Sequence, residues 1–275
     1  MDFTLLYPGF KRKAVTFSYD DSIIEDRVTI SILKSHGLKG TFNLNLGQSG
    51  EEKIRSGVDC SHLVLEKEYS LYDGMEIATH TYNHPHLETL PFEEQKKQYQ
   101  LDIEGLEKLT GRKIIGSAYP YGTYNLDTLK ALKELGIVYA RTTRSTYDFT
   151  LPYNFLLWHP TIHHNDPRMF EILDSFYSCN KELACLYIWG HSYEFAIQDY
   201  APFSLLERIA ASLEDNRKEF AFMTNGEIYT YVNAATMVYY RDGGFVNPSA
   251  QDIYLKAESE YILVRKGEKY VYPQH

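Results

Sequence analysis

Two adjacent carboxylates, Asp20 and Asp21, end a short apolar run in the segment TFSYDDS. The run AVTF at residues 14–17 predicts a buried strand, so both acids leave the core at the same strand end. Two like charges side by side repel each other and are costly to remove from water. The pair is therefore more typical of a chemical site than of an ordinary strand end.

The segment HTYNHPH supplies two histidines, His80 and His84, four residues apart. On a continuing strand they would lie about 13 Å apart, too far to share one ion. On one helical turn their Cβ atoms would lie about 6 Å apart, so the sequence predicts a helical turn from His80 that Pro85 ends. With Asp21 they form a candidate site for Zn²⁺ or a similar ion, with open positions for water and substrate. The alternative is that they are surface loop histidines.

Two further segments place polar groups after apolar runs. In AYPYG, the amide of Tyr121 is the first free backbone N–H after Pro120, and beside a metal it would suit a developing oxyanion. In LYIWGHSYEF, His191 follows an apolar strand and Gly190, which makes it a candidate general acid. A plain turn and a structural histidine are the respective alternatives.

The order strand, loop, helix recurs seven or eight times along the chain. This rhythm predicts a parallel sheet with crossover helices, and the number of repeats favours a closed α/β barrel of the (β/α)7-8 type. Because the carboxyl ends of barrel strands share one mouth, the polar residues at these ends should meet there. They are Asp20, Asp21, His80, Arg141, His163 and His191.

The helical rhythm stops after residue 229. Short alternating segments separated by turns then predict a small β-rich extension. We therefore expect residues 1–229 to form the barrel and residues 230–275 to form a C-terminal β appendage.

Charge and hydropathy exclude several classes of partner. The net charge of −9 over 275 residues argues against binding to nucleic acid or to an anionic membrane surface. The sequence has no run of about 20 apolar residues, and no basic segment followed by an apolar core at its start. These features predict a cytoplasmic protein without a membrane or nucleic-acid partner.

The motifs occur in the order found in the polysaccharide deacetylase family, which is carbohydrate esterase family 4 with the nodulation-factor deacetylase homology domain. The chain resembles this family over about residues 12–228. The segments that carry the resemblance are Asp20-Asp21, the His80/His84 pair, YPYG at residues 119–122 and residues 186–191. The resemblance implies a distorted (β/α) barrel that uses a divalent metal ion to remove acetyl groups from a carbohydrate substrate.

The resemblance also implies a role for each residue. The implied set is Asp20 as general base, Asp21, His80 and His84 as metal ligands, the Tyr121 amide in the oxyanion hole, and His191 as general acid. The implied ion is Zn²⁺, with Co²⁺, Ni²⁺ and Mn²⁺ as alternatives.

The sequence departs from the family pattern at two places. The family often has an arginine two residues before the Pro-Tyr pair, where this chain has Ala118, so Arg141 or Arg144 is a candidate replacement. The aspartate and tryptophan that usually support the acidic histidine have only weak candidates here, Asp148 and Trp158. A further residue expected near the mouth, to support the site or to contact substrate, is His163.

Two other functions are compatible with parts of the pattern. The HPH sequence at residues 84–86 matches amidohydrolase barrels that act on non-sugar C–N bonds, but that chemistry needs a late catalytic aspartate that no late strand supplies. A carbohydrate-binding barrel that has lost catalysis would explain Ala118. The presence of Asp20 and His191 argues against it, because a metal-only scaffold needs neither.

Overall fold

The computed structural model describes residues 2–55, 57–197 and 202–271. Its helices are α1 (Asp26–Ser35), α2 (Leu65–Glu68), α3 (Phe92–Thr110), α4 (Leu126–Glu134), α5 (Met169–Ser178), α6 (Phe203–Asp215) and α7 (Asn225–Ala235). Its strands are β1 (Phe3–Leu6), β2 (Lys13–Asp20), β3 (Gly40–Leu44), β4 (Ile54–Arg55), β5 (Val58–Asp59), β6 (Glu76–Thr79), β7 (Gly116–Ala118), β8 (Tyr139–Arg141), β9 (Ile162–His163), β10 (Ala184–His191), β11 (Phe220–Phe222), β12 (Tyr239–Arg241), β13 (Gly244–Val246), β14 (Ile253–Ala257), β15 (Glu260–Val264) and β16 (Lys269–Val271).

The two long strands β2 and β10 form the centre of a curled parallel sheet. The sheet has the order β8-β7-β6-β3-β2-β10-β9, and β11 also pairs with β2. All eight residues of β2 are buried, as are the first seven of β10, so both faces of these strands are covered. The sequence of β10 is near-continuously apolar, as such a strand should be, whereas β2 also buries the polar residues Thr16, Ser18 and Asp20. Their register sets Asp20 opposite His191. The predicted α/β barrel is confirmed in a distorted form.

The sheet curls far enough for its two edges to approach through the segment at residues 158–164. Trp158 makes a parallel bridge to Arg141 at the end of β8. A few residues later, the backbone amides of Thr161 and His164 donate to carbonyl groups of β10. Arg141 and His191 therefore lie at one mouth, although they belong to strands on opposite sides of the place where the two sheet edges approach each other.

The helices pack on the outside of the sheet through one apolar face each. In α6 the buried residues recur at helical spacing, namely Leu206, Ile209, Ala210 and Leu213. The longest helix, α3, ends at Gly111, whose φ of 68° is the left-handed conformation that closes a helix. These helices bury the sheet and leave its strand ends free to carry polar residues.

The C-terminal strands form two small antiparallel sheets. β14 pairs with β15 and with the N-terminal strand β1, while β13 pairs with β12 and β16. Helix α7 continues across residue 230, where the sequence predicts that β structure begins, so that part of the secondary-structure prediction is wrong. The division into a barrel at 1–229 and an extension at 230–275 stays a prediction.

Within the described residues, none of the helices combines the length and the apolar character that crossing a lipid bilayer requires.

Candidate metal centre and active site

Asp20 lies at the end of β2, and both of its carboxylate oxygens accept hydrogen bonds. Asn43 donates through Nδ2 to Oδ1 at 2.8 Å, and the Arg141 guanidinium donates to Oδ2. Asp20 is 3% exposed and Arg141 is 1% exposed. Burial by itself would raise the pKa of Asp20, but the Arg141 charge, helped by nearby imidazoles, outweighs it and lowers that pKa below its usual value. Asp20 is therefore an ionised carboxylate in a nearly dry position.

Asp21 faces different partners because the backbone turns where β2 ends. Asp21 has a φ of 80° and Ser22 a φ of 51°, both in the left-handed region. Asp21 Oδ1 lies 3.7 Å from His80 Nε2 and 3.6 Å from His84 Nε2. The two adjacent acids thus have separate surroundings: Asp20 contacts a guanidinium and an amide, and Asp21 contacts a pair of imidazoles.

A loop, and not a helical turn, brings His80 and His84 together. The segment after β6 contains no helix, so the predicted helical turn is wrong. Thr81 and His84 instead have φ values of 68° and 52°, and these turns leave the two imidazole centroids 4.7 Å apart. His80 Nδ1 lies 2.8 Å from the carbonyl oxygen of Ala118, to which it can donate. That bond leaves the lone pair of His80 on Nε2, the atom that faces Asp21.

Left-handed backbone at non-glycine residues is concentrated around this mouth. Five of the ten such residues in the described chain lie here: Asp21, Ser22, Thr81, His84 and Tyr121. Conformations of this kind cost on the order of 1–3 kcal/mol each and persist only where the surrounding structure enforces them. Their clustering is an independent indication that this mouth is a functional site.

The three atoms Asp21 Oδ1, His80 Nε2 and His84 Nε2 are spaced as metal ligands. Bonds of about 2.1 Å to a tetrahedral ion would separate ligand atoms by about 3.4 Å. The observed separations of 3.6 and 3.7 Å are close to that value and too long for hydrogen bonds. Burial, reinforced by His80, lowers the pKa of His84 to about 3, so its imidazole is neutral, as a ligand must be. These residues fit a divalent ion that accepts nitrogen and oxygen donors.

His191, at the end of β10, lies close to Asp20. His191 Nε2 is 3.9 Å from Asp20 Oδ2, and the same oxygen is 3.9 Å from His80 Nε2. The other ring nitrogen, Nδ1, lies 3.5 Å from Glu194 Oε1. Burial alone would lower the pKa of His191, but Glu194 and the two aspartates outweigh burial and raise that pKa to about 9. His191 is therefore protonated at neutral pH, which is the state of a general acid.

Glu194 is the site residue that the sequence analysis misses. Its Oε2 lies 3.2 Å from His163 Nε2 and 2.9 Å from His164 Nε2, and it accepts a hydrogen bond from the backbone of His191 at 3.1 Å. Burial alone would raise the pKa of Glu194, but these imidazoles hold it well below its usual range. The signal is the spacing. A short 3-10 helix, Ser192–Phe195, begins directly after His191, and an acid three residues after the capping residue can reach back to its N–H.

Tyr121 lies in the turn Pro120–Gly122 and packs against the histidine loop. Its ring stacks on His86 with 3.8 Å between centroids and meets the His84 ring at 4.5 Å. A side chain at Gly122 would collide with Thr143, and its φ of 72° also favours glycine. The turn thus holds the Tyr121 backbone beside a candidate ligand, and the role of its amide as oxyanion donor stays a prediction.

The remaining predicted residues have clear positions. Arg141 binds Asp20, and His163 contacts Glu194. Trp158 lies in the core, with its ring 4.8 Å from that of Tyr187. Asp148 forms an ion pair with Lys181. The carboxylate against His191 is therefore Glu194, and the contacts of Trp158 and Asp148 lie elsewhere.

Residues 8–140 match the sequence model of the polysaccharide deacetylase family. The resemblance to polysaccharide deacetylases is confirmed. The matched stretch includes Asp20, Asp21, His80, His84 and Tyr121, and it stops before His191. No curated protein is a significant match to the chain.

Solved structures of proteins described as polysaccharide deacetylases, or as related to them, share the fold. A Mycobacterium smegmatis protein assigned as a polysaccharide deacetylase has a TM-score of 0.60 at 16% identity, over 88% of this chain and 98% of that one. BA3943 of Bacillus anthracis, a carbohydrate esterase family 4 pseudoenzyme, has a TM-score of 0.52 at 17% identity, over 81% of this chain and 66% of that one. At these identities the likeness concerns the fold alone.

The deacetylase PplD of Streptococcus pyogenes is 27% identical over 52% of this chain, with a TM-score of 0.45. This chain spans 61% of the length of PplD.

Proposed function

We propose that this protein is a metal-dependent hydrolase that removes acetyl groups, N- or O-linked, from a carbohydrate. One observation carries the proposal: Asp20 Oδ2 lies 3.9 Å from His80 Nε2 and 3.9 Å from His191 Nε2. The candidate base, Asp20, therefore lies close to both a candidate metal ligand, His80, and the candidate acid, His191. The match of residues 8–140 to polysaccharide deacetylases supports an acetyl group on a sugar as the target.

Asp21, His80 and His84 are the residues proposed to hold the ion, with Zn²⁺ as the first choice. When bound, a divalent ion supplies Lewis acidity and makes water a stronger nucleophile at neutral pH. The protein itself supplies a carboxylate and two imidazoles at ligand spacing, fixed by a strand end and by the loop after β6. The lowered pKa of His84 keeps that imidazole neutral.

The proton transfers are assigned to Asp20 and His191. Asp20 accepts a proton from the attacking water, and the Arg141 guanidinium keeps that carboxylate ionised beforehand. The Tyr121 amide donates to the acetyl oxygen as negative charge develops on it. His191 then donates the proton on Nε2 to the departing amine or alcohol, and Glu194 favours the protonated imidazole that makes this transfer feasible.

A barrel without catalysis is the main alternative, since a pseudoenzyme shares this fold. The intact Asp20–Arg141 and His191–Glu194 pairs favour an enzyme, because a binding scaffold would not need ionised buried groups that are costly to maintain. An amidohydrolase-type reaction is less well supported. It needs an aspartate at the end of a late strand, whereas His163 and His164 contact Glu194, which lies after the end of β10.

The test compares adjacent substitutions, Asp20→Asn and Asp21→Asn, in a screen of N- and O-acetylated oligosaccharides with released acetate as the readout. Asp20→Asn should keep its metal and lose turnover by roughly 10²- to 10⁴-fold, because it removes a base without removing a ligand. Asp21→Asn should bind metal more weakly, measured by elemental analysis after dialysis.

The reverse pattern would be an Asp20→Asn protein without metal and an Asp21→Asn protein with full metal content. It would make Asp20 the ligand and Asp21 the base. Turnover of N-acyl amino acids but not of acetylated sugars would favour the amidohydrolase alternative. Absence of turnover on every substrate, with metal and fold intact, would favour the non-catalytic barrel.

A further inference from the structure

Three imidazoles surround the single carboxylate of Glu194. His164 Nε2 lies 2.9 Å and His163 Nε2 3.2 Å from Oε2, while His191 Nδ1 lies 3.5 Å from Oε1. The proposed reaction uses only one of these pairs, His191 with Glu194. Nothing in that reaction explains why two further histidines converge on the same carboxylate.

Hydrogen bonding does not account for the cluster. His164 Nε2 and His191 Nδ1 are buried nitrogens that face Glu194 at 2.9 and 3.5 Å, yet neither makes a well-aligned hydrogen bond to it. His164 is fully buried, so water cannot easily satisfy its ring. Polar nitrogens that converge without aligned hydrogen bonds are what a site shaped for a cation would present.

His163 Nε2, His191 Nδ1 and a Glu194 oxygen also have the spacing of ligands. These three atoms all lie within 4.8 Å of one another. His163 Nε2 lies 3.2 Å from Oε2 and His191 Nδ1 lies 3.5 Å from Oε1, so each oxygen of Glu194 faces one imidazole. Both separations are near the roughly 3.4 Å expected between ligand atoms around a tetrahedral ion with bonds of about 2.1 Å. Two imidazoles and one carboxylate are a typical donor set for Zn²⁺, Co²⁺ or Ni²⁺.

The cluster is accessible from the mouth and supported from behind. The side chains of His163 and His191 are 19% and 23% exposed, so the outer edge of the cluster reaches solvent, while the ligand atom His191 Nδ1 is buried beneath it. His164 lies behind Glu194, and its ring occupies the space where a side chain at Gly190 would otherwise lie, 2.2 Å from His164 Nδ1. A buried group that holds a ligating carboxylate in place is a common feature of metal sites.

We propose that His163, His191 and Glu194 form a second divalent-cation site, separate from the one at Asp21, His80 and His84. The two sites share no residue. The second ion binds His191 through Nδ1 and leaves Nε2 facing Asp20. It takes the place of the Nδ1 proton, so an occupied second site and the protonated His191 of the proposed reaction exclude each other. The proposal goes beyond the proposed function and does not depend on it, because metal binding can be measured without any substrate.

The test counts metal ions. The purified protein is equilibrated by dialysis with Zn²⁺ or Co²⁺, and its metal content is measured by elemental analysis. The wild-type protein should hold two equivalents, and His80→Ala and His163→Ala should each hold one. The double variant should hold none, and the visible absorption bands of the Co²⁺ protein should separate the two environments.

His159→Ala is the matched control, because His159 is a nearby histidine that contacts Thr142 and belongs to neither cluster. It should keep two equivalents, and circular dichroism should show that every variant is folded. Glu194→Gln, which keeps the size of the side chain, should lose the second equivalent and keep the first.

One equivalent in the wild-type protein, unchanged by His163→Ala and abolished by His80→Ala, would overturn the second site and leave the proposed function standing. Equal metal loss in His159→Ala and His163→Ala would also overturn it, because the second ion would then be bound nonspecifically by surface imidazoles. Absence of metal from the wild-type protein would contradict both proposals.

Discussion

Asp20 stays ionised in a position where water barely reaches it, and Arg141 is the reason. The guanidinium comes from the end of β8 and contacts Asp20 Oδ2, while the face of Trp189 covers it at 4.4 Å. A charge buried this deeply is stable only when its partner is fixed in place. The pair therefore sets the pH at which the candidate base becomes available.

Replacing Arg141 by methionine should move the acidic limb of the kcat/KM profile to higher pH. Burial raises the pKa of Asp20 and Arg141 opposes this, so without the guanidinium the carboxylate takes up its proton at a higher pH. The shift should be about 1–3 pH units, the usual effect of an adjacent opposite charge. The measurement is the pH dependence of acetate release, with metal content as a check on the site.

The control for this substitution is Arg144→Met, three residues along the same segment. It should leave the acidic limb in place, because Asp20 receives its guanidinium contact from Arg141. An unchanged limb in Arg141→Met would mean that a group other than Asp20 limits the reaction at low pH.

At the residue scale, the sequence predicts the side chains that lie at strand ends. It misses Glu194, which lies in the turn after a strand and reaches back to it. Asp20, His80 and His191 are predictable because parallel strands deliver their last residues to one mouth. Glu194 is not, because its contact with His163 depends on how the chain turns after β10. Arg141 lies between these cases: its strand end is predictable, whereas its partner is not.

At the scale of the element, helix α3 is fixed to the side of the mouth that carries His80 and His84 through one buried acid. Asp102 accepts hydrogen bonds from Thr79 Oγ1 at 2.6 Å and from the backbone N–H of Leu46 at 2.7 Å. Thr79 is the last residue of β6 and precedes His80. Burial raises the pKa of Asp102 to about 8 despite these hydrogen bonds. The anchor of the histidine loop is therefore a carboxyl group that is neutral at physiological pH.

Asp102→Asn should weaken the pH dependence of stability between about pH 4 and pH 8. In this range the folded protein keeps a proton on Asp102 that the unfolded chain releases, so stability falls as pH rises. One such proton contributes a slope of up to about 1.4 kcal/mol per pH unit. Urea unfolding at several pH values should show that the wild-type protein loses more stability than the variant across this range.

Asp215→Asn is the control for this comparison, because Asp215 is an exposed acid at the end of α6. It should reproduce the wild-type pH dependence. Parallel curves for Asp102→Asn and the wild-type protein would mean that Asp102 is ionised in the folded state, and its raised pKa would then be wrong.

Two elements differ from their predicted form for physical reasons. The spacing of His80 and His84 indicates a helical turn, but left-handed residues at 81 and 84 bring the rings together equally well, and periodicity does not detect such turns. Helix α7 is rich in tyrosine and β-branched residues, which favour strands. Its capping box, formed by Thr224 and Glu227, stabilises a helix start and was a readable signal against that preference.

At the scale of the whole molecule, the first strand of the chain belongs to the C-terminal structure. β1 pairs with β14 over Phe3–Leu6, and the hydroxyl of Tyr231 in α7 donates to the carbonyl of Leu6. The same hydroxyl accepts a hydrogen bond from the backbone N–H of Tyr254 at 3.1 Å. One side chain thus joins three separate parts of the chain, a contact between distant segments that local sequence patterns cannot predict.

Tyr231→Phe should destabilise the protein by about 1–3 kcal/mol, because it leaves the buried carbonyl of Leu6 and the partly buried amide of Tyr254 without their shared partner. Urea unfolding should show a lower midpoint with an unchanged slope, and Tyr239→Phe, at a tyrosine that is 46% exposed, should match the wild-type midpoint. A new early transition in Tyr231→Phe, with the main midpoint unchanged, would instead indicate that residues 230–275 unfold apart from the barrel.

The position of β2 at the centre of the sheet has a consequence for biosynthesis. The strand that carries Asp20 leaves the ribosome well before its partners β10 and β11, which are made from residues 184–191 and 220–222. At ordinary translation rates of about 5–20 residues per second, roughly 10–30 s separate β2 from β10. During that interval the apolar nascent segment is available to chaperones and to other unfinished chains. Among the candidate site residues, Asp20 and Asp21 are synthesised first, and they are enclosed by the sheet only after β10 and β11 have been made.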